Sequence, residues 1–181
     1  MKNQVIFFQG GGEASDYDVD SKLVASLRTN LGPAYSIHYP RLDNDGTPDL
    51  GRRTQIGGEI AAAEDHIILV GHSLGASMLL AYLSENKIEK EIAGIFLLAT
   101  PYWSGREDWV EAFRLQPGFA NKLNRHAPIF FYHCHDDEVV PFAQLAIYKR
   151  ELPWASFREI AMGGHQFNND LAVVADDIRS I

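Results

Sequence analysis

At 181 residues, 46% of them hydrophobic, the chain has the length of one domain and enough apolar content to bury a core without staples. A net charge of −8 with no Lys/Arg cluster repels a phosphate backbone, which argues against nucleic acid as a partner. Cys134 stands alone, so neither an internal disulfide nor a cysteine-based zinc site can form. No apolar run approaches the roughly 20 residues of a membrane helix. The leading apolar run, Val5–Phe8, is too short for a signal peptide, and the expectation is a cytoplasmic protein.

Taken in order, Val5–Phe8 reads as a strand, and Gly10-Gly11-Gly12 opens the loop after it. Asp16, Asp18 and Asp20 introduce a helical pattern, Val19, Leu23, Leu27 and Leu31, stopped by Gly32-Pro33. Tyr35–Tyr39 is a second strand, and a polar loop leads to a weaker helix over about 50–63, interrupted by Gly57-Gly58. Ile67–Val70 is β-branched and apolar throughout, as a strand buried on both faces requires. Gly71-His72-Ser73-Leu74-Gly75 follows it, and Ala76–Leu83 is a run of good helix formers. Ile92–Ala99 is a further buried strand. The segment Thr100–His126 lacks clean periodicity but carries Tyr102, Trp103, Trp109, Phe113 and Phe119. Pro128–Cys134 is a strand, and Pro141 suits the first residue of a helix running to about Arg150. Ser156–Ile160 is the last strand. Asn168 or Asn169 is the expected cap of a final helix with Leu171, Val174 and Ile178 on one face. Alternating strands and helices, with about six strands, predict an α/β fold: a mostly parallel sheet with helices on both faces.

Strand, G-x-S-x-G and helix in that order form a nucleophile elbow. A serine on so sharp a turn has strained backbone angles, and side chains at Gly71 and Gly75 would collide where strand meets helix. The turn lifts the Ser73 hydroxyl above the sheet, over a helix N-terminus that favours a developing oxyanion. A serine needs a base, and the base needs a third group to hold its tautomer. Asp136 and Asp137 after the fifth strand, and His165 in Gly163-Gly164-His165-Gln166-Phe167 after the sixth, stand at strand ends suited to those roles. The remaining histidines take plainer readings. His72 occupies the variable elbow position, facing away from the nucleophile, and His38, His66 and His126 sit at element edges. His133 and His135 lie two apart at a strand end, but no third and fourth ligand accompanies them, so no metal site is expected. Gly10-Gly11-Gly12 is not a phosphate or dinucleotide loop: G-x-x-x-x-G-K-[ST] is absent, and Ser15 stands where G-x-G-x-x-G requires glycine.

From Val5-Ile6-Phe7-Phe8-Gln9-Gly10-Gly11-Gly12 to the last helix, the chain resembles an α/β-hydrolase. Its compact layout is similar to the serine hydrolases of the retinoblastoma-binding-protein type. The resemblance implies a minimal form of that fold over 1–181, without the leading antiparallel hairpin, in which 100–126 is a small cap or pocket wall. It also implies a Ser-acid-His order. Asp137-Glu138-Val139-Val140-Pro141 matches the family's D-x-x-V-P and favours Asp137 over Asp136, for which the plain reading is a solvated loop residue. Ser73, Asp137 and His165 are then the expected triad. Backbone N–H groups of Leu74 and Gly11, with Gly12 as fallback, form the expected oxyanion hole, and Gln9 replaces the family's usual histidine. The implied function is cleavage of a small-molecule carboxylic ester or thioester through an acyl-enzyme, with no cofactor. Trp103, Trp109 and Phe113 either line the substrate pocket or pack the segment onto the domain. A non-catalytic interaction module on the same scaffold, or an acyltransferase or perhydrolase using the same serine, are the alternatives. None of this bears on oligomeric state.

Overall fold

The computed structural model describes residues 3–11 and 13–181, so the fallback oxyanion donor, Gly12, lies outside the described residues. Six strands, β1 (Asn3–Phe8), β2 (Tyr35–His38), β3 (Ile67–His72), β4 (Ile92–Leu98), β5 (Ile129–Cys134) and β6 (Ser156–Ile160), form one sheet in the order β2-β1-β3-β4-β5-β6. Every pairing is parallel, so each crossover runs through the intervening chain and the strands' carboxyl ends share one edge. The fold is the expected α/β sheet, all parallel among the described residues.

Side-chain alternation along the strands divides the core in two. Ile6, Phe8, Ile67, Leu69, Ile95, Leu97, Ile129 and Phe131 face one side. There they meet α2 (Arg52–Ala62), α3 (Leu74–Glu85) and α4 (Gln144–Glu151). Val5, Phe7, Ile68, Val70, Phe96, Leu98, Phe130 and Tyr132 face the other, against α1 (Ala14–Leu31) and α5 (Ala172–Arg179). Burying each such side chain contributes about 1.5–3 kcal/mol, and strands covered on both faces account for the uninterrupted apolar runs in the sequence. From β1 the chain passes outward to β2, then returns across β1 to β3. The reversal leaves a crevice at the carboxyl ends of β1 and β3, where open α/β sheets place their ligands.

Several local expectations shift. The core-facing stripe of α1 is Asp20, Leu23, Leu27 and Leu31: Asp20 is 2% exposed whereas Val19 is 41% exposed. A carboxylate therefore occupies an inward position that the apolar pattern assigned to its neighbour. Within α2, Gly57 lets the Tyr82 ring of α3 pack close: a Cβ there would stand 2.6 Å from that ring, which would have to shift. Pro141 does not open α4. It begins a turn in which its carbonyl accepts the Gln144 N–H (2.9 Å) three residues on. Neither Asn168 nor Asn169 caps α5; both have positive φ in the short turn Phe167–Asn169, and Asp170 Oδ1 instead accepts the Ala172 N–H (2.9 Å). Segment 100–126 forms two 3-10 turns, Asp108–Phe113 and Phe119–Asn121. It is pinned through Val110, Phe113, Phe119 and Leu123, which are buried.

Candidate active site

Ser73 sits between β3 and α3 with φ 51° and ψ −121°, a strained conformation for a residue with a Cβ. Its two glycines are sterically obligatory. A Cβ on Gly71 would lie 2.7 Å from Ala76 Cα, and one on Gly75 would lie 2.3 Å from the Gln9 carbonyl oxygen. Backbone bonds hold the turn: Ser73 N–H donates to the Leu98 carbonyl (2.8 Å), and Ser77 N–H donates to the Ser73 carbonyl (3.1 Å).

His165 arrives on the loop after β6. Its Nδ1 is 3.0 Å from both carboxylate oxygens of Asp137, whose side chain is fully buried. Burial pushes the Asp137 carboxyl up. Hydrogen bonds from His133 and His165, and from the N–H groups of Val140 and Val139, outweigh this and hold it well below the usual carboxylate range. A carboxylate charged at neutral pH beside Nδ1 favours the tautomer with its hydrogen there, leaving Nε2 without one. Among the described residues no hydrogen bond joins the Ser73 hydroxyl to His165; both residues line a cavity of about 220 Å³.

Asp136 is exposed, as expected of a solvated loop residue, but it is not idle. Its Oδ1 accepts the N–H groups of Gly163 and Gly164, each at 2.9 Å, and those bonds draw its pKa down. Glu138 Oε2 accepts the His165 N–H (3.0 Å). Asp136, Asp137 and Glu138 thus grip the histidine loop by backbone, side chain and backbone in turn. His133 is buried, its Nε2–H donating to the Val140 carbonyl (2.9 Å) beside Asp137, whereas His135 is exposed and stacks on Phe142.

The loop after β1 is braced without the usual histidine. Gln9 Oε1 accepts the Leu42 N–H (3.1 Å), and the fully buried Arg52 donates to the carbonyls of Leu42 and of Gly11 (2.7 Å). Gly11 has φ +59°, and a Cβ there would overlap the Asp16 carboxylate. Gly11, Ser73 and Leu74 together line a second, larger cavity of about 400 Å³. Leu74 opens α3, where the first-turn N–H groups lack partners within the helix.

That second cavity has an aromatic wall. Trp103 packs against Phe113 (centroids 5.1 Å) and edge-on to Trp109 (5.9 Å), and its Nε1–H donates to Ser77 Oγ (3.0 Å). Phe113 is buried and joins the core cluster while lining the cavity; Trp109 is 60% exposed at its mouth. Packing and lining are therefore not exclusive here.

Sequence reasoning missed His72 and Asp20. His72 is fully buried and lines the same cavity as Ser73 and His165, its ring 4.8 Å from the His165 ring. Its Nδ1 pairs with Asp20 Oδ2 (2.9 Å), and its Nε2 lies 3.0 Å from the His165 carbonyl oxygen. The available signal was Asp20 itself, spaced three and seven residues before Leu23 and Leu27.

A family model described as serine hydrolase matches residues 51–171, a stretch that holds Ser73, Asp137 and His165. No curated protein matches the chain. Among solved structures, Est1E from Butyrivibrio proteoclasticus is 15% identical with a TM-score of 0.72, over 99% of this chain and 86% of that one. The ydeN gene product of B. subtilis is 19% identical with a TM-score of 0.70, over 99% and 98%. A thioesterase domain from the curacin biosynthetic pathway is 16% identical with a TM-score of 0.72, over 98% and 91%. At such identities these likenesses speak for the fold, an α/β-hydrolase sheet. With most of its length matched by the family model, the chain belongs to the serine hydrolase family.

Proposed function

We propose that the protein cleaves a small ester-type substrate through a Ser73-His165-Asp137 triad and an acyl-enzyme. His165 Nε2 takes the Ser73 proton as the hydroxyl attacks the carbonyl carbon. The tetrahedral oxyanion rests on the N–H groups of Leu74 and Gly11, and the imidazolium, steadied by Asp137, then protonates the leaving group. Water repeats the cycle to release the acid. Each oxyanion donor contributes about 3 kcal/mol to lowering the barrier. The aromatic cavity bounded by Trp103, Trp109 and Phe113 receives the apolar part of the substrate, with 100–126 acting as its wall.

The observation that carries this reading is the double approach of Asp137 to His165 Nδ1 at 3.0 Å, on a cavity shared with a strained Ser73. Esterase and thioesterase neighbours on the same fold favour the ester class. Hydrolysis of p-nitrophenyl acetate tests it. Ser73→Ala should fold normally and lose turnover by several orders of magnitude, whereas a variant with wild-type rate would remove Ser73 from the mechanism.

A further inference from the structure

Two loops must agree for the proposed chemistry to work: the one after β1, bearing the oxyanion donor, and the one after β6, bearing the base. They come from distant parts of the chain, and a single buried pair touches both. Asp20 Oδ2 accepts the Gly10 N–H (2.7 Å) and also faces His72 Nδ1 (2.9 Å). Asp20 Oδ1 accepts the Gln166 side-chain amide (3.2 Å), and His72 Nε2 reaches the His165 carbonyl (3.0 Å). Both side chains are essentially without solvent exposure. His72 is the residue next to the nucleophile, so the link passes through the elbow itself.

We propose that His72 and Asp20 form a positioning dyad that ties the Gly10-Gly11 loop to the His165 loop across the elbow, keeping oxyanion donor and base in register over Ser73. Hydrogen-bond accounting gives the dyad its character. A carbonyl oxygen only accepts, so His72 Nε2 must carry a hydrogen. Asp20 Oδ2 already accepts from Gly10, and a 2.9 Å approach to His72 Nδ1 requires a further proton between them. One proton is thus shared between Oδ2 and Nδ1. With Asp20 held below the usual carboxylate range and His72 above the usual imidazole range, it rests on the ring, an imidazolium facing a carboxylate in which each charge offsets part of the other's cost of burial. Burial pulls the His72 pKa down, but the charge and hydrogen bond of Asp20, the bond to the His165 carbonyl and the charge of Asp137 together outweigh it and raise the affinity of His72 for that second proton.

The inference rests on the triad mechanism above and makes a claim that a merely structural pair does not. Asp20→Asn is nearly isosteric, yet it breaks the accounting. A neutral His72 can donate to residue 20 or to the His165 carbonyl, not both. If instead the amide turns its NH₂ toward His72, Gly10 N–H loses its acceptor. One loop is released in either case.

The test measures kcat and KM for p-nitrophenyl acetate on folded Asp20→Asn, His72→Gln and the double variant, with Ser73→Ala alongside. A displacement of about 1 Å can cost about 100-fold, so each single variant should lose about 10- to 100-fold in kcat with KM within about twofold. The double variant should fall no further than about twofold below the worse single variant, as for one unit. His72→Gln decides the matter alone should Asp20→Asn not fold. Single variants at wild-type kcat, or losses that multiply in the double variant, overturn the dyad. Activity surviving in Ser73→Ala overturns the triad instead.

Discussion

The polar rim of the sheet and the aromatic wall beside it are built on different principles. At the rim, the loops after β1, β3, β5 and β6 are short and held by backbone sterics and directed hydrogen bonds. Gly71 and Gly75 leave no room for a Cβ, and Asp136, Asp137 and Glu138 each hold the histidine loop. The wall, 100–126, is held by ring-to-ring packing of Trp103, Trp109 and Phe113 and by a few anchors. Tyr148 donates its hydroxyl proton to the Pro101 carbonyl (2.8 Å), and Gln144 accepts the Tyr102 N–H (2.7 Å). Directed bonds fix positions to fractions of an ångström, which proton transfer needs. Packing fixes a shape, which is enough to receive an apolar group. The contrast predicts that rim substitutions act on kcat and wall substitutions on KM.

The largest effect sharpens the rim side. Asp137→Asn keeps the volume but cannot hold the same tautomer of His165, and kcat for an ester substrate should fall by about 10⁴ with the fold intact. A loss under tenfold would detach Asp137 from the chemistry.

Steric necessity comes next. In Gly75→Ala the new methyl meets the Gln9 and Phe8 carbonyls at 2.3 and 2.5 Å, backbone atoms that cannot swing aside. Overpacking of this kind costs about 1–3 kcal/mol or more, read as a lower urea midpoint. An unchanged midpoint would mean the strand–helix junction is looser than its contacts imply.

On the wall, Trp103→Ala removes two ring contacts and the bond to Ser77. KM for an aromatic acyl ester should rise about tenfold while kcat stays within about threefold. A fall in kcat with KM unchanged would break the division between the two regions.

Acid titration gives a smaller signal. The native carboxyl of Asp137 is depressed below its unfolded value near 3.9, so its contribution to stability is complete above that value. It disappears as pH falls toward the native pKa. Wild type should therefore lose more stability than Asp137→Asn between about pH 5 and pH 2 in urea titrations. Parallel losses would show that Asp137 is no better stabilised in the native state.

The smallest expected effect is none. Burial, with Asp136, Asp137 and Glu138 nearby, pushes the Cys134 thiol up to about 12. Native protein at pH 8 should resist iodoacetamide, and rapid alkylation would contradict that burial.

Legibility in the sequence follows the same divide. The strands and the two-faced core were readable because fully buried parallel strands leave unbroken apolar runs, whereas the order of the strands in the sheet was not. The elbow was readable because its two glycines answer a local steric demand. The acid and histidine loops were readable as motifs anchored at strand ends. What escaped depends on partners far away in the chain. Nothing local marks His72, 52 residues from Asp20, as buried and paired. Asp136 is exposed as read, but its hold on the histidine loop escaped because the N–H groups it accepts come from Gly163 and Gly164, brought near by the β5–β6 pairing. Asp20 was hidden by reading Val19 as the start of the apolar stripe, a one-residue slip on a helix. The wall had no periodicity to read, since 3-10 turns repeat too briefly to leave one.

The central claim, that Ser73 is a nucleophile activated by His165, is tested most directly by fluorophosphonate labelling with peptide mapping by mass spectrometry. The account predicts a single adduct on Ser73 in the wild type, and none in Ser73→Ala or in folded His165→Ala. An unlabelled wild type, or an adduct at Ser73 that forms equally fast without His165, would contradict it.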